Sequence, residues 1–163
     1  MMSQLDGSDI VYTARVPVPK IISLSVHVGT RFPAVATSMG KVLLADLPAN
    51  ELDRTLRIPS HSGVVPRITP TRKELTAMLL EVSNRGWALS DEQLSLGIRS
   101  VAAPVRCASG RTIAAVNVSV SAAETSIAVL KKKYLPLLMA AAEAITVDFT
   151  ALASLPTTEP LYS

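Results

Sequence analysis

Two adjacent carboxyl groups, Asp91 and Glu92, are the residues of this 163-residue chain whose pairing could support acid–base chemistry. Neighbouring residues of a strand point to opposite faces of a sheet, so the two carboxylates are not expected to converge on one substrate atom. We expect one of them to face a pocket, where it could hydrogen-bond a ligand or Arg99. Arg99 is itself a candidate clamp for a carboxylate, although a structural ion pair with the acidic segment would explain it equally.

A second set of polar residues could bind a small anion. Ser38 lies where a helix is expected to begin, and the free N–H groups and positive dipole end of a helix start bind carboxylates or phosphates. Ser100, Asn117 and Ser119 can share one face of two predicted strands, opposite alternating valine and alanine residues. Small polar groups in an apolar bowl suit a small polar ligand. Helix capping alone would also explain Ser38, and a solvent-facing sheet would explain Asn117 and Ser119.

Motifs for metal, cofactor or covalent chemistry are not found. His27, His61 and Cys107 have no spacing typical of a metal site. The sequence has no P-loop, no Gly-x-Gly-x-x-Gly and no Gly-x-Ser-x-Gly pattern. We therefore predict no catalytic residue, no metal and no cofactor.

The composition indicates one folded domain of a cytoplasmic protein. Hydrophobic residues make up 48% of the chain, which argues against disorder and suggests buried faces and a dimer surface. No uninterrupted apolar run approaches the roughly 20 residues of a membrane span, and the start does not resemble a signal peptide. A single cysteine excludes an internal disulfide. The net charge of +3 owes much to Lys131–Lys133, which we interpret as a solvated helix face and not as a nucleic-acid patch.

Apolar periodicity predicts the elements that would position these groups. Alternation predicts strands, the first two paired as a hairpin, at residues 9–16, 22–28, 87–91, 100–106 and 113–120. Helical spacing and caps predict helices at residues 38–47, 48–56 and 71–85, and a long last helix opened by a capping box at 121–124. Thr71, with capping-box spacing to Glu74, and Thr69 are equally good caps of the third helix. Pro136 should bend that helix or shift its start. Hairpins with helices inserted between them favour an α+β fold, an antiparallel sheet covered by helices.

Several stretches together carry a family resemblance. They are the acidic pair with the Gly-Ile-Arg-Ser turn and strand up to Val105, the hairpin and strand up to Ser119, and the segment Thr37 to Ala45. Together they resemble the effector-binding domain of the IclR family of bacterial transcription regulators, which sense small organic molecules. The resemblance implies a curved antiparallel sheet, distantly like GAF and profilin domains, with a ligand pocket on its concave side.

The resemblance also implies a set of ligand contacts. They would lie at the helix start, the acidic segment and the two strands, at Ser38, Met39, Gly40, Asp91, Glu92, Arg99, Ser100, Asn117 and Ser119. The family often has serine where this chain has Asn117. An amide both donates and accepts, so the ligand or its orientation is expected to differ.

Within the family, two segments look like regulators of aromatic-acid and β-ketoadipate catabolism: the start, Asp9 to Val16, and the strand Ala115 to Ser119. The inducers implied are small carboxylates such as protocatechuate, 4-hydroxybenzoate, muconate or β-ketoadipate.

The resemblance sets an expected domain organisation. The effector-binding domain would span residues 6–148, followed by a flexible tail at 149–163. Family members form dimers and tetramers and read operator DNA through a winged helix-turn-helix domain ahead of this region. Only five residues precede Asp6, so we expect a truncated chain that does not read DNA on its own.

Two other functions remain open at the level of sequence. A small hydrolase or isomerase could use Asp91, Glu92 or Ser38, but it would need a general base near a nucleophile, and the sequence offers no such pair. A domain that only dimerises, with a vestigial pocket, is the other alternative.

Overall fold

The computed structural model describes residues 1–17 and 25–156. Six strands form one curled antiparallel sheet in the order β3-β2-β1-β6-β5-β4. The strands are β1 (Met2–Asp6), β2 (Asp9–Ala14), β3 (Arg31–Pro33), β4 (Ala88–Asp91), β5 (Ile98–Arg106) and β6 (Thr112–Ser121). The predicted α+β class is confirmed.

The helices are inserted between the hairpins and follow the last strand. They are α1 (Ser38–Ala45), α2 (Ala49–Arg57), α3 (Arg72–Arg85), α4 (Ile127–Val129) and α5 (Leu135–Ala153). Gly86 ends α3 as the sequence predicted, and of the two candidate N-caps, Thr69 and Thr71, the structure uses Thr71. Thr71 and Glu74 form a reciprocal capping box, and Gly86, at φ 81°, ends the helix in the left-handed conformation.

The sheet has a core on each face, because successive side chains of a strand point to opposite sides. Ala102 and Ala115 pack in the cluster formed with α1 and α3. Val101, Ala103 and Val116 pack with the terminal helix on the other face. Ser100, Asn117 and Ser119 have the same strand parity as Ala102 and Ala115, so they belong to the α1 face.

The strand predicted at residues 22–28 lies partly outside the described part of the chain, which does not include residues 18–24, and residues 25–28 are not in a strand. Among the described residues β3 pairs with β2, with Phe32 opposite Ile10. Both side chains are buried in the α1-face core. Burial of the large Phe32 side chain favours the pairing of β3 with β2. The other neighbour of β2 is β1, a strand that the sequence analysis did not predict.

The terminal helix does not begin at the capping box predicted at residues 121–124. Ser121 pairs with Ile98 at the end of the β5–β6 ladder, and a turn follows. The helix begins at Ile127, where the Ser126 side chain accepts a hydrogen bond from the Val129 N–H. Because Ser121 belongs to β6, it cannot also act as the N-cap of the helix in the predicted capping box.

Pro136 lies in the first turn of α5. The terminal helix already begins at Ile127, so Pro136 does not shift its start, and a bend at this proline remains a prediction. A π-helical turn, Leu130–Tyr134, joins α4 to α5. α5 continues to Ala153, so the segment that the sequence analysis treated as a tail begins as helix, and residues 157–163 lie outside the described chain.

An 18-residue stretch of the continuous helix Ile127–Ala153 has a mean hydropathy of 1.5, so by length and composition alone this helix could cross a membrane. Helices packed on a protein core also meet these two criteria. Leu130, Leu135, Leu138 and Ala142 are buried in the second core. One face of the helix therefore packs on that core, and 17% of the 18-residue stretch is buried.

Candidate functional site

The start of α1 is fixed by a side-chain cap and by a close backbone contact. The Thr37 hydroxyl oxygen accepts a hydrogen bond of 3.0 Å from the Gly40 N–H. A Cβ on Gly40 would lie 2.0 Å from the carbonyl oxygen of Ala34, so only glycine lets the helix approach the preceding turn. The amides of Ser38 and Met39 belong to the first turn and have no intrahelical acceptor.

This helix start meets the polar face of the β5–β6 pair. Ser100 is directly opposite Ser119, and Asn117 is opposite Ala102. The Ser38 and Ser100 hydroxyl groups are hydrogen-bonded at 2.7 Å. Ser100 and Asn117 are buried. The prediction that Ser100, Asn117 and Ser119 share one face is confirmed.

A cavity of about 100 Å³ lies at this junction. Its wall is mostly apolar, with hydroxyl and amide groups from the helix start and the two strands. The lining residues are Met1, Tyr12, Arg15, Val16, Val26, Phe32, Ala36, Thr37, Ser38, Met39, Ser90, Leu94, Ile98, Ser100, Asn117 and Ser119.

The polar groups of the wall differ in whether their hydrogen bonds are satisfied. The Asn117 side-chain Nδ2 donates to the Ser119 Oγ at 3.2 Å. The Asn117 Oδ1 is buried and has no hydrogen-bond partner among the described residues. Burial raises the pKa of Tyr12 to about 12, so its hydroxyl stays protonated at neutral pH. The Tyr12 ring packs edge-to-face on Phe32, with the ring centroids 5.8 Å apart.

Four predicted contact residues do not line the cavity: Gly40, Asp91, Glu92 and Arg99. Arg99 pairs with Asp91 at 2.9 Å and donates to the Thr125 carbonyl, so the structure shows the structural ion pair and not a carboxylate clamp. Glu92 accepts a hydrogen bond from the Gly97 N–H at 2.7 Å and has φ of 53°, which is uncommon outside glycine. These groups shape the loop of residues 92–97.

That loop forms one side of the cavity through Leu94, and a buried lysine holds it. The Lys41 ammonium donates to the Leu89 carbonyl and to the Gln93 side chain. Burial, with a smaller contribution from the charge of Arg85, lowers the pKa of Lys41 to about 8. The sequence analysis missed this role, although a charge among the apolar residues of α1 was the available signal.

The family model for the bacterial transcriptional regulator IclR C-terminal domain matches residues 1–147. The chain belongs to the IclR family. It is an IclR-type effector-binding domain, and its relatives include regulators of aromatic-acid catabolism. The domain is not an enzyme, since the family and its relatives are transcription regulators.

The curated relatives include regulators of aromatic-acid degradation. The chain is 37% identical over 141 residues to the Pca regulon regulatory protein of Pseudomonas putida, covering 86% of this chain and 48% of that protein. It is 37% identical over 123 residues to the p-hydroxybenzoate hydroxylase transcriptional activator of Acinetobacter baylyi, covering 69% and 44%. The chain thus spans about half the length of these regulators.

Solved structures of IclR-type proteins have the same fold. A transcriptional regulator from Rhodococcus sp. RHA1 is 46% identical with a TM-score of 0.84, covering 93% of this chain and 61% of that one. The inducer-binding domain of a PobR double mutant from Acinetobacter, in complex with 3-hydroxybenzoic acid, is 32% identical with a TM-score of 0.75, covering 89% and 85%.

Five of the nine predicted site residues of this IclR domain line one cavity: Ser38, Met39, Ser100, Asn117 and Ser119. The sequence analysis missed Arg15 and the aromatic pair Tyr12 and Phe32. Tyr12 lies two residues after Ile10 in β2, so the two side chains point to the same face of the sheet. Because Ile10 is expected in the core, this spacing indicated that Tyr12 would also point inward. Arg15 and Phe32 had no such signal, because the partner strand had been predicted elsewhere.

Proposed function

We propose that this domain binds a small organic acid and that binding changes how the intact, cytoplasmic regulator binds operator DNA. The observation that carries the proposal is the cavity itself. In it, the start of α1 faces the polar groups of β5 and β6 across a mostly apolar space. The cavity of about 100 Å³ is smaller than the roughly 150 Å³ that holds a benzene-sized ring, so the expected acid is small, and an aromatic acid would need the wall to widen.

The carboxylate would bind at the helix start. The Ser38 and Met39 N–H groups and the positive dipole end of α1 favour an anion there. No aspartate or glutamate is among the described residues that line the wall. The guanidinium of Arg15, which also lines the cavity and donates to the Val26 carbonyl, adds to the positive potential.

The relatives support an acid of the aromatic class. One curated relative activates transcription of p-hydroxybenzoate hydroxylase, and the PobR neighbour has 3-hydroxybenzoic acid as its inducer-domain ligand. In this proposal DNA recognition belongs to the part of those regulators that lies outside the length matched here.

We predict that Ser38→Pro weakens acid binding far more than Ser38→Ala. Ser38 is the first residue of α1, a position that proline occupies readily, and Thr37 before it is extended. Both substitutions remove the hydroxyl, but only proline removes the N–H. Loss of one charge-assisted hydrogen bond, about 1.5–3 kcal/mol, should weaken binding roughly 10- to 150-fold.

Isothermal titration of both variants with a panel of benzoates and aliphatic dicarboxylates provides the measurement. Equal affinities of the two variants would remove the helix start from the site. Binding of no acid to the parent domain would contradict the proposed function, and turnover of an acid would favour the hydrolase alternative.

We also infer that a second copy of this chain covers the outer side of α5. Large apolar side chains on one side of this helix are exposed: Leu137, Ile145, Phe149 and Leu152. A row of this kind is typical of a protein–protein interface. The inference is a homodimer, or a homotetramer in the intact regulator.

Light scattering should therefore show a dimer that Leu137→Glu dissociates. Leu80→Glu on α3 is the matched control, since Leu80 is 63% exposed and Leu137 is 68% exposed. The control should leave the dimer intact. A monomer at every accessible concentration of the parent domain, or equal effects of the two variants, would refute the interface.

A further inference from the structure

We infer that the loop of residues 92–97 is a lid on the cavity and that the hydrogen bond between Lys41 and Gln93 sets how readily this lid opens. The inference rests on the proposed function, since a lid matters only for a cavity that takes up a ligand. It gives a regulatory role to Lys41 and Gln93, neither of which lines the cavity.

The size of the cavity requires part of its wall to move before a ring can bind. At about 100 Å³ the cavity is smaller than the roughly 150 Å³ that holds a benzene-sized ring. Two parts of the wall are fixed by backbone contacts: the start of α1, where Gly40 packs directly on the Ala34 carbonyl, and the β5–β6 ladder. The additional room must therefore come from a segment outside these elements.

The loop of residues 92–97, which joins β4 to β5, has the properties of such a segment. Its Leu94 side chain lines the cavity, and its Leu96 side chain is 66% exposed. Glu92 and Gly97, at the two ends of the loop, have φ of 53° and 82°, in the left-handed region. Residues at the ends of a loop absorb the change in backbone dihedral angles when a lid moves.

Contacts from two directions hold the loop in its closed position. The Ile68 N–H, in the irregular segment before α3, donates to the Gln93 carbonyl at 2.9 Å. From α1, the Lys41 ammonium donates to the Gln93 side-chain oxygen. The contact from Lys41 therefore joins the loop to a helix of the α1-face core.

Lys41 depends on this contact because its charge is buried. The residue is 2% exposed, and its ammonium donates to the Leu89 carbonyl at 2.8 Å as well as to Gln93. Burial, and then the like charge of Arg85, lower the pKa of Lys41 to about 8, so the amine is mostly protonated at neutral pH. A buried ammonium needs acceptors for its protons, so losing the Gln93 oxygen costs more than losing a bond between neutral groups.

The test is amide hydrogen exchange of the ligand-free domain at pH 7, measured at Ile68, whose N–H bonds to the loop. We expect Gln93→Leu to raise this exchange rate roughly 10-fold, the effect of losing one hydrogen bond to a charged group. Ser95→Ala is the matched control in the same loop. The Ser95 hydroxyl donates to the Leu96 carbonyl at 3.4 Å and not to α1, so this variant should exchange like the parent.

Two further variants distinguish the hydrogen bond from simple packing. Gln93→Glu gives the ammonium a counter-charge and should slow the exchange, whereas a packing role for Gln93 predicts faster exchange in both Gln93 variants. In a Lys41→Met background, Gln93→Leu should cause no further change, because the bond it removes is already absent. An effect that persists undiminished in that background would overturn the inference. If Lys41→Met does not fold, the opposite signs of Gln93→Leu and Gln93→Glu still decide.

Calorimetric titration with 4-hydroxybenzoate tests the connection between the loop and the cavity. When only the open form has room for the ring, the apparent affinity is reduced by the fraction of molecules that are open. Gln93→Leu should therefore bind this acid up to roughly 10-fold more tightly than the parent, and Ser95→Ala should bind it equally. Unchanged affinity in Gln93→Leu, with faster exchange, would show that the wall widens elsewhere and would overturn the lid.

The two measurements separate this inference from the proposed function. If 4-hydroxybenzoate binds to neither the parent nor the variants, the proposed function fails for this acid. The exchange rates of the ligand-free domain then still decide whether Lys41 and Gln93 hold the loop. If the acid binds and Gln93→Leu exchanges like the parent, acid binding stands and the lid is refuted.

Discussion

Gly40→Ala is expected to destabilise the domain by about 3 kcal/mol or more and to abolish acid binding. The new Cβ would lie 2.0 Å from the Ala34 carbonyl oxygen and within 2.5 Å of two further backbone atoms of Ala34. Backbone cannot move aside as a flexible side chain can, so α1 must shift away from the preceding turn. Ser38 and Met39 shift with it. Denaturant unfolding and calorimetric titration measure the two effects.

In a helix without tertiary contacts, replacing glycine by alanine stabilises the helix by about 1 kcal/mol. A loss of stability in Gly40→Ala would therefore show that the contact with Ala34 outweighs helix propensity. Gly110→Ala is the control. Gly110 has φ of 83°, and a Cβ added there would meet no atom within 4 Å, so only backbone strain of about 1–2 kcal/mol is expected. Equal costs at the two glycines would show that the contact with Ala34 is unimportant.

Asp9→Ala is expected to cost about 3–5 kcal/mol of stability. Asp9 is 1% exposed and accepts hydrogen bonds from the Ser60 hydroxyl at 2.6 Å, the His61 N–H at 2.8 Å and the Arg31 guanidinium at 3.2 Å. The substitution leaves these donors without their acceptor and releases the loop of residues 58–71 from β2. Denaturant unfolding at pH 7 gives the change.

Asp6→Ala is the matched control, because Asp6 pairs with the same Arg31 at 2.7 Å while its side chain is 68% exposed. Exposed ion pairs contribute about 0–1 kcal/mol, so the control should be nearly neutral. Equal losses in the two variants would mean that burial of Asp9 does not matter.

The pH dependence gives Asp9 a second test. Burial alone would raise the pKa of the Asp9 carboxyl, but the hydrogen bonds from Ser60, His61 and Arg31 and the charge of Arg31 outweigh it and lower the pKa. The ionised form therefore contributes stability above the unfolded-state pKa of about 3.9. That contribution is lost as pH falls through the lower folded-state pKa. Below about pH 4 the parent should lose stability more steeply than Asp9→Ala, and parallel curves would contradict this.

Local patterns in the sequence determined most of the helices and which side chains of one strand share a face. The capping box of α3 and the helix start at Ser38 follow from contacts within a few residues, and the shared face of Asn117 and Ser119 follows from alternation along β6. Strand parity depends only on the alternation of side chains, so it holds whichever strand lies alongside.

Only the tertiary structure decided which residues meet across the cavity. Phe32 lies in the wall because β3 pairs with β2. Asp91 engaged Arg99 because β4 pairs with β5 in a register that places the two residues opposite each other. Whether the Asn117 Oδ1 has a hydrogen-bond partner likewise depends on all the residues that pack around it, and among the described residues it has none. Pairing register and hydrogen-bond satisfaction are set by residues far apart in the chain, so local periodicity cannot predict them.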